Sequence, residues 1–229
     1  MHQGRPDDVS VHPQVRVVVK PYGSALPLGF FAFGIGMFLY AAQGAEWVKA
    51  SDGHTVGLIL ATFVAPLEFL ATVVAFLARD TMSAAALGLF STSWLSGGIL
   101  LTQAKPGVLD RADAYWLIAF TVVVLLLGVA AWEGKPMISV LLLVASARGV
   151  LYAIYQLGAG KGWMHASGWI ALVLFLVAMY GGLAFLLEDA RGETVLPLLR
   201  RGKSREAIEG GLAAQLQGLA EEAGVRHTL

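Results

Sequence analysis

Residues 114–157 read AYWLIAFTVVVLLLGVAAWEGKPMISVLLLVASARGVLYAIYQL. Two apolar runs, 114–132 and 136–157, flank Glu133-Gly-Lys135. A helix needs about 20 apolar residues to cross the hydrocarbon core of a bilayer. The runs hold 19 and 22 residues and one charge between them, Arg148. The stretch therefore reads as two membrane-crossing helices joined by a short polar turn.

Working outward, four more windows have the same character: 26–45, 55–78, 81–102 and 164–187. Of the 32 charged residues in the chain, only Glu68 and Arg148 lie inside the six windows. The second and third windows are parted only by Arg79-Asp80. The fold class expected is an all-α integral membrane protein with six transmembrane helices. The first span is not a cleaved signal peptide, because it starts at residue 26 and a second span follows at once. Lys and Arg favour the cytoplasmic side of a membrane. Eleven sit in the two tails and in the 2–3 and 4–5 connections, against four in the other loops. Both termini are thus predicted to be cytoplasmic, in a multi-pass protein of the cell (inner) membrane. Three segments follow: a disordered N-terminal tail over 1–23, the six-helix domain over 24–197, and a C-terminal tail over 198–229. Within that last tail, Ile208, Leu212, Leu216, Leu219 and Ala223 fall at helical spacing. They describe either an amphipathic helix or a frayed, solvated end.

Composition agrees with this assignment. The 229 residues are 57% hydrophobic and 14% charged, with zero formal net charge. Ordinary soluble domains run about 45–50% and about 25%. Mean hydropathy is +0.68. A neutral soluble protein this apolar would expose large apolar patches and precipitate. The missing basic excess excludes a nucleic-acid binder, and the hydrophobicity excludes a disordered chain. With no cysteine, disulfides, thiolate catalysis and cysteine metal sites are excluded. No metal-binding histidine cluster or nucleophile–base pair is present, so neither an enzyme, a cofactor nor a metal site is expected.

Glu68 and Arg148 stand near mid-membrane, at depths differing by about 5 Å. An unpaired charge there costs roughly 2.5–3.5 kcal/mol on the permissive insertion scale. Both are therefore expected to face inward and pair. As a pair they are either a structural salt bridge or the lining of a permeation route, with Arg148 attracting a carboxylate and Glu68 serving as counter-ion or proton carrier. Small residues within the spans, such as Gly34, Gly36 and Gly182, suit close helix contacts, within one protomer or between copies. Ser91, Thr92, Ser93 and Ser96 beside Phe90 and Trp94 fit a polar pathway or bonds back to their own helix. His165, at the start of the sixth span, is either an external pH sensor or a satisfied interfacial residue.

Several motifs resemble the acetate uptake transporter family, the succinate–acetate permeases. Ser24-Ala-Leu-Pro-Leu-Gly-Phe-Phe-Ala-Phe-Gly34 resembles its Asn-Pro-Ala-Pro-Leu-Gly-Leu signature through Pro27, Leu28 and Gly29, with Phe33 in the place of an aromatic a few residues on. Thr81, Trp94 and Leu95 match its Gly-Asn-Thr…Ser-Tyr-Gly-x-Phe-Trp-Leu stretch, and His165-Ala-Ser-Gly-Trp-Ile170 its His-x-Ala-Gly-Trp-Ile run. Tyr180 and Gly192-Glu-Thr-Val-Leu-Pro197 match its closing segment, and the chain's end resembles those of actinobacterial members.

The resemblance implies a six-helix homo-oligomer, a hexamer, each protomer moving acetate or a related small monocarboxylate, commonly with protons. It implies that Phe33 and Phe90 form a hydrophobic constriction and that Ser24, Pro27, Leu28 and Gly29 present helix N-terminal amides to an anion. Ser91, Thr92 and Trp94 complete the expected pathway. The departures are Ser24 and Ala25 for Asn and Pro, Phe90 for Tyr, Glu68 for Gln, Phe185 for Glu, and Arg148 for an apolar residue. Two rival readings remain at this point: a channel for a small neutral solute, and a membrane sensor or scaffold acting through its tail.

Overall fold

The computed structural model describes residues 22–105, 107–202 and 205. Nearly all of the N-terminal tail, and the amphipathic pattern after 204 apart from Arg205, lie outside the described residues.

Among the described residues, six helices are long and apolar enough to cross a membrane. They are α1 (Leu26–Gly44), a composite second span, α4 (Thr81–Gln103), α5 (Arg111–Ala131), α6 (Pro136–Gln156) and α7 (Lys161–Arg191). The second span begins with a 3-10 turn, Ala50–Asp52, before α2 (Gly53–Ile59). A π-helical turn, Leu60–Val64, then leads into α3 (Ala65–Leu77). Pro66 explains that turn. It has no N–H to give the carbonyl four residues back, and its ring crowds that carbonyl. The sequence window missed both the 3-10 start and the change of pitch.

Elsewhere the boundaries follow from capping. Asp80 accepts from Ser83 N at 3.2 Å and opens α4, and Asp110 accepts from Ala112 N at 2.8 Å and opens α5. These are N-caps filling orphan amides. Prolines stand in the first turns of α1 and α6, where a missing N–H costs nothing. Gly192, at φ +68°, closes α7 in the left-handed conformation.

Side chains are distributed for lipid. Phe69, Leu126 and Leu176 point outward, with Ala, Gly and Ser between the helices. Lipid tails supply no hydrophobic drive, so backbones must approach for packing to hold. One close backbone approach joins α1 to α7: a Cβ on Gly44 would lie 2.5 Å from the Gly168 Cα. Serine hydroxyls tie the remaining pairs. Ser139 donates to Gly128 O at 2.5 Å and Ser146 to Thr121 O at 2.9 Å, joining α6 to α5. Ser167 joins α7 to the Arg148 carbonyl at 3.2 Å.

Both described chain ends lie at one end of the bundle, where Ser24 N donates to Asp189 Oδ1 at 3.3 Å. We call this the terminal end and the opposite one the distal end. At 31 residues α7 is about 46 Å long, more than a bilayer core requires. Its surplus turn carries Glu188, which is buried and ion-paired to Arg200 of the returning segment. Tyr180 OH donates to Pro197 O at 2.9 Å on the same segment.

Candidate functional site

A broken line of cavities runs through the bundle. At the distal end two overlapping lobes, about 340 and 560 Å³, open between α1, α4, α5, α6 and α7. Lys49, Lys105 and Lys161 stand around this vestibule. Lys161 Nζ donates to Glu46 at 2.6 Å, and this hydrogen bond holds the Glu46 carboxyl below the usual carboxylate range. His165 Nε2 lies 3.4 Å from the same carboxylate without completing a hydrogen bond.

Arg148 lies at the base of the vestibule. Its guanidinium stands 4.3 Å from the centroid of the Tyr40 ring and 5.6 Å from that of Tyr152. The rings face the cation with their negative quadrupoles. Arg148 Nε has no hydrogen-bond partner. In the same vestibule as the arginine, Asp113 accepts from Gln156 Nε2 at 2.8 Å. Arg148, Tyr152 and Gln156 occupy successive turns of one α6 face, a stripe legible in the sequence as positions i, i+4 and i+8. Tyr40 and Asp113 carry no comparable signal.

Aromatic rings close the line beyond Arg148. Phe33 meets Phe90 edge-on at 5.0 Å and Trp94 at 5.9 Å; Phe90 meets Phe120 at 5.4 Å, and Trp94 meets Tyr40 at 5.2 Å. The Phe33–Phe90, Phe33–Trp94 and Phe90–Phe120 pairs are edge-to-face, a favoured geometry. Gly36 makes room for this plug, since a Cβ there would lie 2.8 Å from the Trp94 ring. A 40 Å³ cavity on the Arg148 side and a 30 Å³ cavity on the terminal side both touch Phe90. Each has room for two or three waters at most.

Glu68 lines the 30 Å³ cavity and is fully buried, and neither carboxylate oxygen has a hydrogen-bond partner. The Trp94 indole N–H is the donor on its side, short of bonding geometry and itself unpartnered. The same cavity reaches Ser83, whose hydroxyl is bonded to Asp80 at 2.7 Å and to Lys135 Nζ at 3.1 Å. Lys135 pairs with Asp80 at 2.5 Å. Burial raises the Asp80 carboxyl, but Lys135 and the Ser83 donors outweigh it and hold it below its usual value.

This arrangement corrects the expected Glu68–Arg148 pair. No such ion pair exists among the described residues. The two groups border different cavities with the aromatic plug between them. Arg148 is satisfied by tyrosine faces instead, and Glu68 by nothing.

The other expected site residues scatter. Phe33, Phe90 and Trp94 come together as the plug. Gly29 borders the inner cavity, with Pro27 buried in the first turn of α1 and Leu28 half-buried there. Ser24 is taken up locally: its Oγ accepts from Leu26 N at 3.4 Å, and its N–H is given to Asp189. The chain's own carboxylate thus stands where an anion at the α1 N-terminus was expected. Ser91 donates to Ala65 O at 2.9 Å and ties α4 to α3. Thr92 is exposed and bonds Gly88 O of its own helix at 3.0 Å. Ser91 and Thr92 do not line the cavities.

A bundle of apolar helices around vestibule, plug and inner cavity defines a polytopic membrane protein with a broken line of cavities through it. The chain is similar to the succinate-acetate/proton symporter SatP of Escherichia coli K12, 23% identical over 177 residues, which cover 75% of this chain and 93% of that protein. The SatP of Shigella flexneri matches equally. A solved structure, the bacterial acetate channel SatP, shares the fold with a TM-score of 0.69 and 21% identity, covering 76% of this chain and 98% of that one. No family model matches the chain. Sequence similarity and the shared fold agree with the resemblance of its motifs to the acetate uptake transporter family.

Proposed function

We propose that this protein carries acetate or a related small monocarboxylate across the membrane, as a transporter or channel, together with protons. The observation that carries the reading is Arg148: a cation at the base of a wide vestibule, with an unused Nε–H, directly before an aromatic plug. A carboxylate entering from the distal end meets a vestibule of mixed charge, with Lys49, Lys105 and Lys161 beside Glu46, Asp110 and Asp113, then a guanidinium able to donate to it. Phe33, Phe90 and Trp94 block larger or hydrated ions. The relatives' names, a succinate-acetate/proton symporter and an acetate channel, support the same substrate class. The Lys and Arg asymmetry supports an orientation with both termini cytoplasmic and the vestibule outside, in the inner membrane. We further propose a homo-oligomer, a hexamer by resemblance, each copy with its own route. The test is radiolabelled acetate uptake into proteoliposomes, with and without a pH gradient. Uptake well above empty vesicles is expected, and uptake no greater than theirs overturns the reading.

A neutral small solute is the second reading, favoured by the inner cavity, where apolar side chains predominate. It predicts flux that neither saturates nor responds to the pH gradient.

A further inference from the structure

We propose that Glu68 is a proton site set directly behind the aromatic plug, and that loading and unloading its carboxyl moves Trp94 and so gates the route. The inference rests on the transport reading above and adds the group that links protons to the gate.

Three observations carry it. Glu68 is fully buried and both its oxygens are unpartnered. An ionised carboxylate without donors or counter-charge is strongly disfavoured in such a place, a protonated one far less. In the closed form described here Glu68 therefore carries its proton on a carboxyl oxygen. Second, the donor beside it is the Trp94 N–H, itself buried and unsatisfied. That indole is part of the plug, packed on Phe33 and Phe90. A carboxylate accepts hydrogen bonds more strongly than a neutral acid, so losing the proton draws the indole N–H towards Glu68. Because the indole packs on Phe33 and Phe90, a shift of Trp94 shifts the plug.

The third observation is the way in. The Glu68 cavity reaches Ser83, which is bonded to Asp80 and Lys135 at the terminal end. These are the charged groups on that side of Glu68. On the far side of the plug stand Arg148, with Tyr40 and Tyr152 against it. Among the described residues no ion pair reaches Glu68 from α1, α4 or α6. A proton taken up at Glu68 turns a carboxylate into a neutral acid, and its release restores the charge.

The test uses the full chain in liposomes. Infrared difference spectra between acidic and alkaline buffer should show a protonated-carboxyl C=O band that Glu68→Gln lacks. The pH response of tryptophan emission should vanish in Trp94→Phe and also in Glu68→Gln, although five other tryptophans remain in the first variant. Glu68→Gln, fixed in the neutral form that goes with the closed plug, should lose most acetate uptake, and what remains should be the same with and without a proton gradient. The proposal is overturned if Glu68→Gln leaves the infrared spectrum unchanged, or keeps the wild-type gradient ratio. Should Glu68→Gln fail to assemble, Glu68→Asp must move the band, and an unmoved band overturns the proposal. If the wild type takes up no acetate, the transport reading falls. The infrared and emission measurements still decide whether Glu68 holds a proton against Trp94.

Discussion

Replacing Arg148 by methionine should separate folding from binding. The guanidinium's contacts with Tyr40 and Tyr152 contribute about 1–4 kcal/mol together. Placing an arginine at the centre of a membrane helix costs about 2.5–3.5 kcal/mol. These nearly cancel, and methionine fills similar space, so the Arg148→Met protein should assemble normally. The ligand loses a charge-assisted donor. Hydrogen bonds to charged groups are worth about 1.5–3 kcal/mol, which corresponds to an affinity loss of about 10- to 150-fold. The assay is the concentration dependence of acetate uptake in proteoliposomes, with assembly checked by size-exclusion chromatography. Half-saturation should move upward by that factor, while Arg148→Lys falls between because it keeps charge without the planar fork. Half-saturation at the wild-type concentration in a well-assembled Arg148→Met protein would refute the role given to this side chain.

Other outcomes follow from the packing. Gly168→Val should cost about 1–3 kcal/mol or more, because Gly44 backbone occupies the space; denaturation in mixed detergent micelles would show it. Ser139→Ala removes one α6–α5 hydrogen bond and should cost about 0.6–1.7 kcal/mol in the same measurement. The Asp80 carboxyl lies below its ordinary value in the fold. Its contribution is therefore complete above about pH 3.9 and is lost as pH falls through the lower folded value. Asp80→Asn should flatten the stability profile in that acidic window, and an unchanged profile would count against the pair with Lys135.

The six spans were legible because charge is sorted along the chain, and a bilayer enforces that sorting. Which residues meet inside was less legible. In water, an amphipathic stripe tells which way a helix faces. In lipid both faces are apolar, so rotation is set by packing of small residues that look alike in sequence. Nothing in the spacing of Glu68 and Arg148 told of the Phe33, Phe90 and Trp94 rings between them. The aromatic plug itself was anticipated only in part, from the family resemblance. Tyr40 entered it without any sequence signal, whereas Tyr152 and Gln156 could have been found on the Arg148 stripe. The hydroxyls of the third span misled because Thr92 and Ser93 bond within their own helix and Ser91 bonds across to α3.

The π-helical turn at Leu60–Val64 gives the second span an unusual kind of mutability. Each residue of an α-helix advances the chain by about 100° around its axis. A π-helical turn takes up one residue more than an α-helical turn while the faces on either side stay nearly in register. Deleting one residue within it, and so letting it tighten to α-helical pitch, would leave the same side chains of Ala65 to Leu77 facing α1 and α4. A three-nucleotide deletion elsewhere in the span, ahead of Glu68, would instead rotate everything beyond it by about 100° and swing a carboxyl from the interior to the lipid face. For the same reason, an ungapped alignment through this turn with a purely α-helical second span would equate residues on different faces.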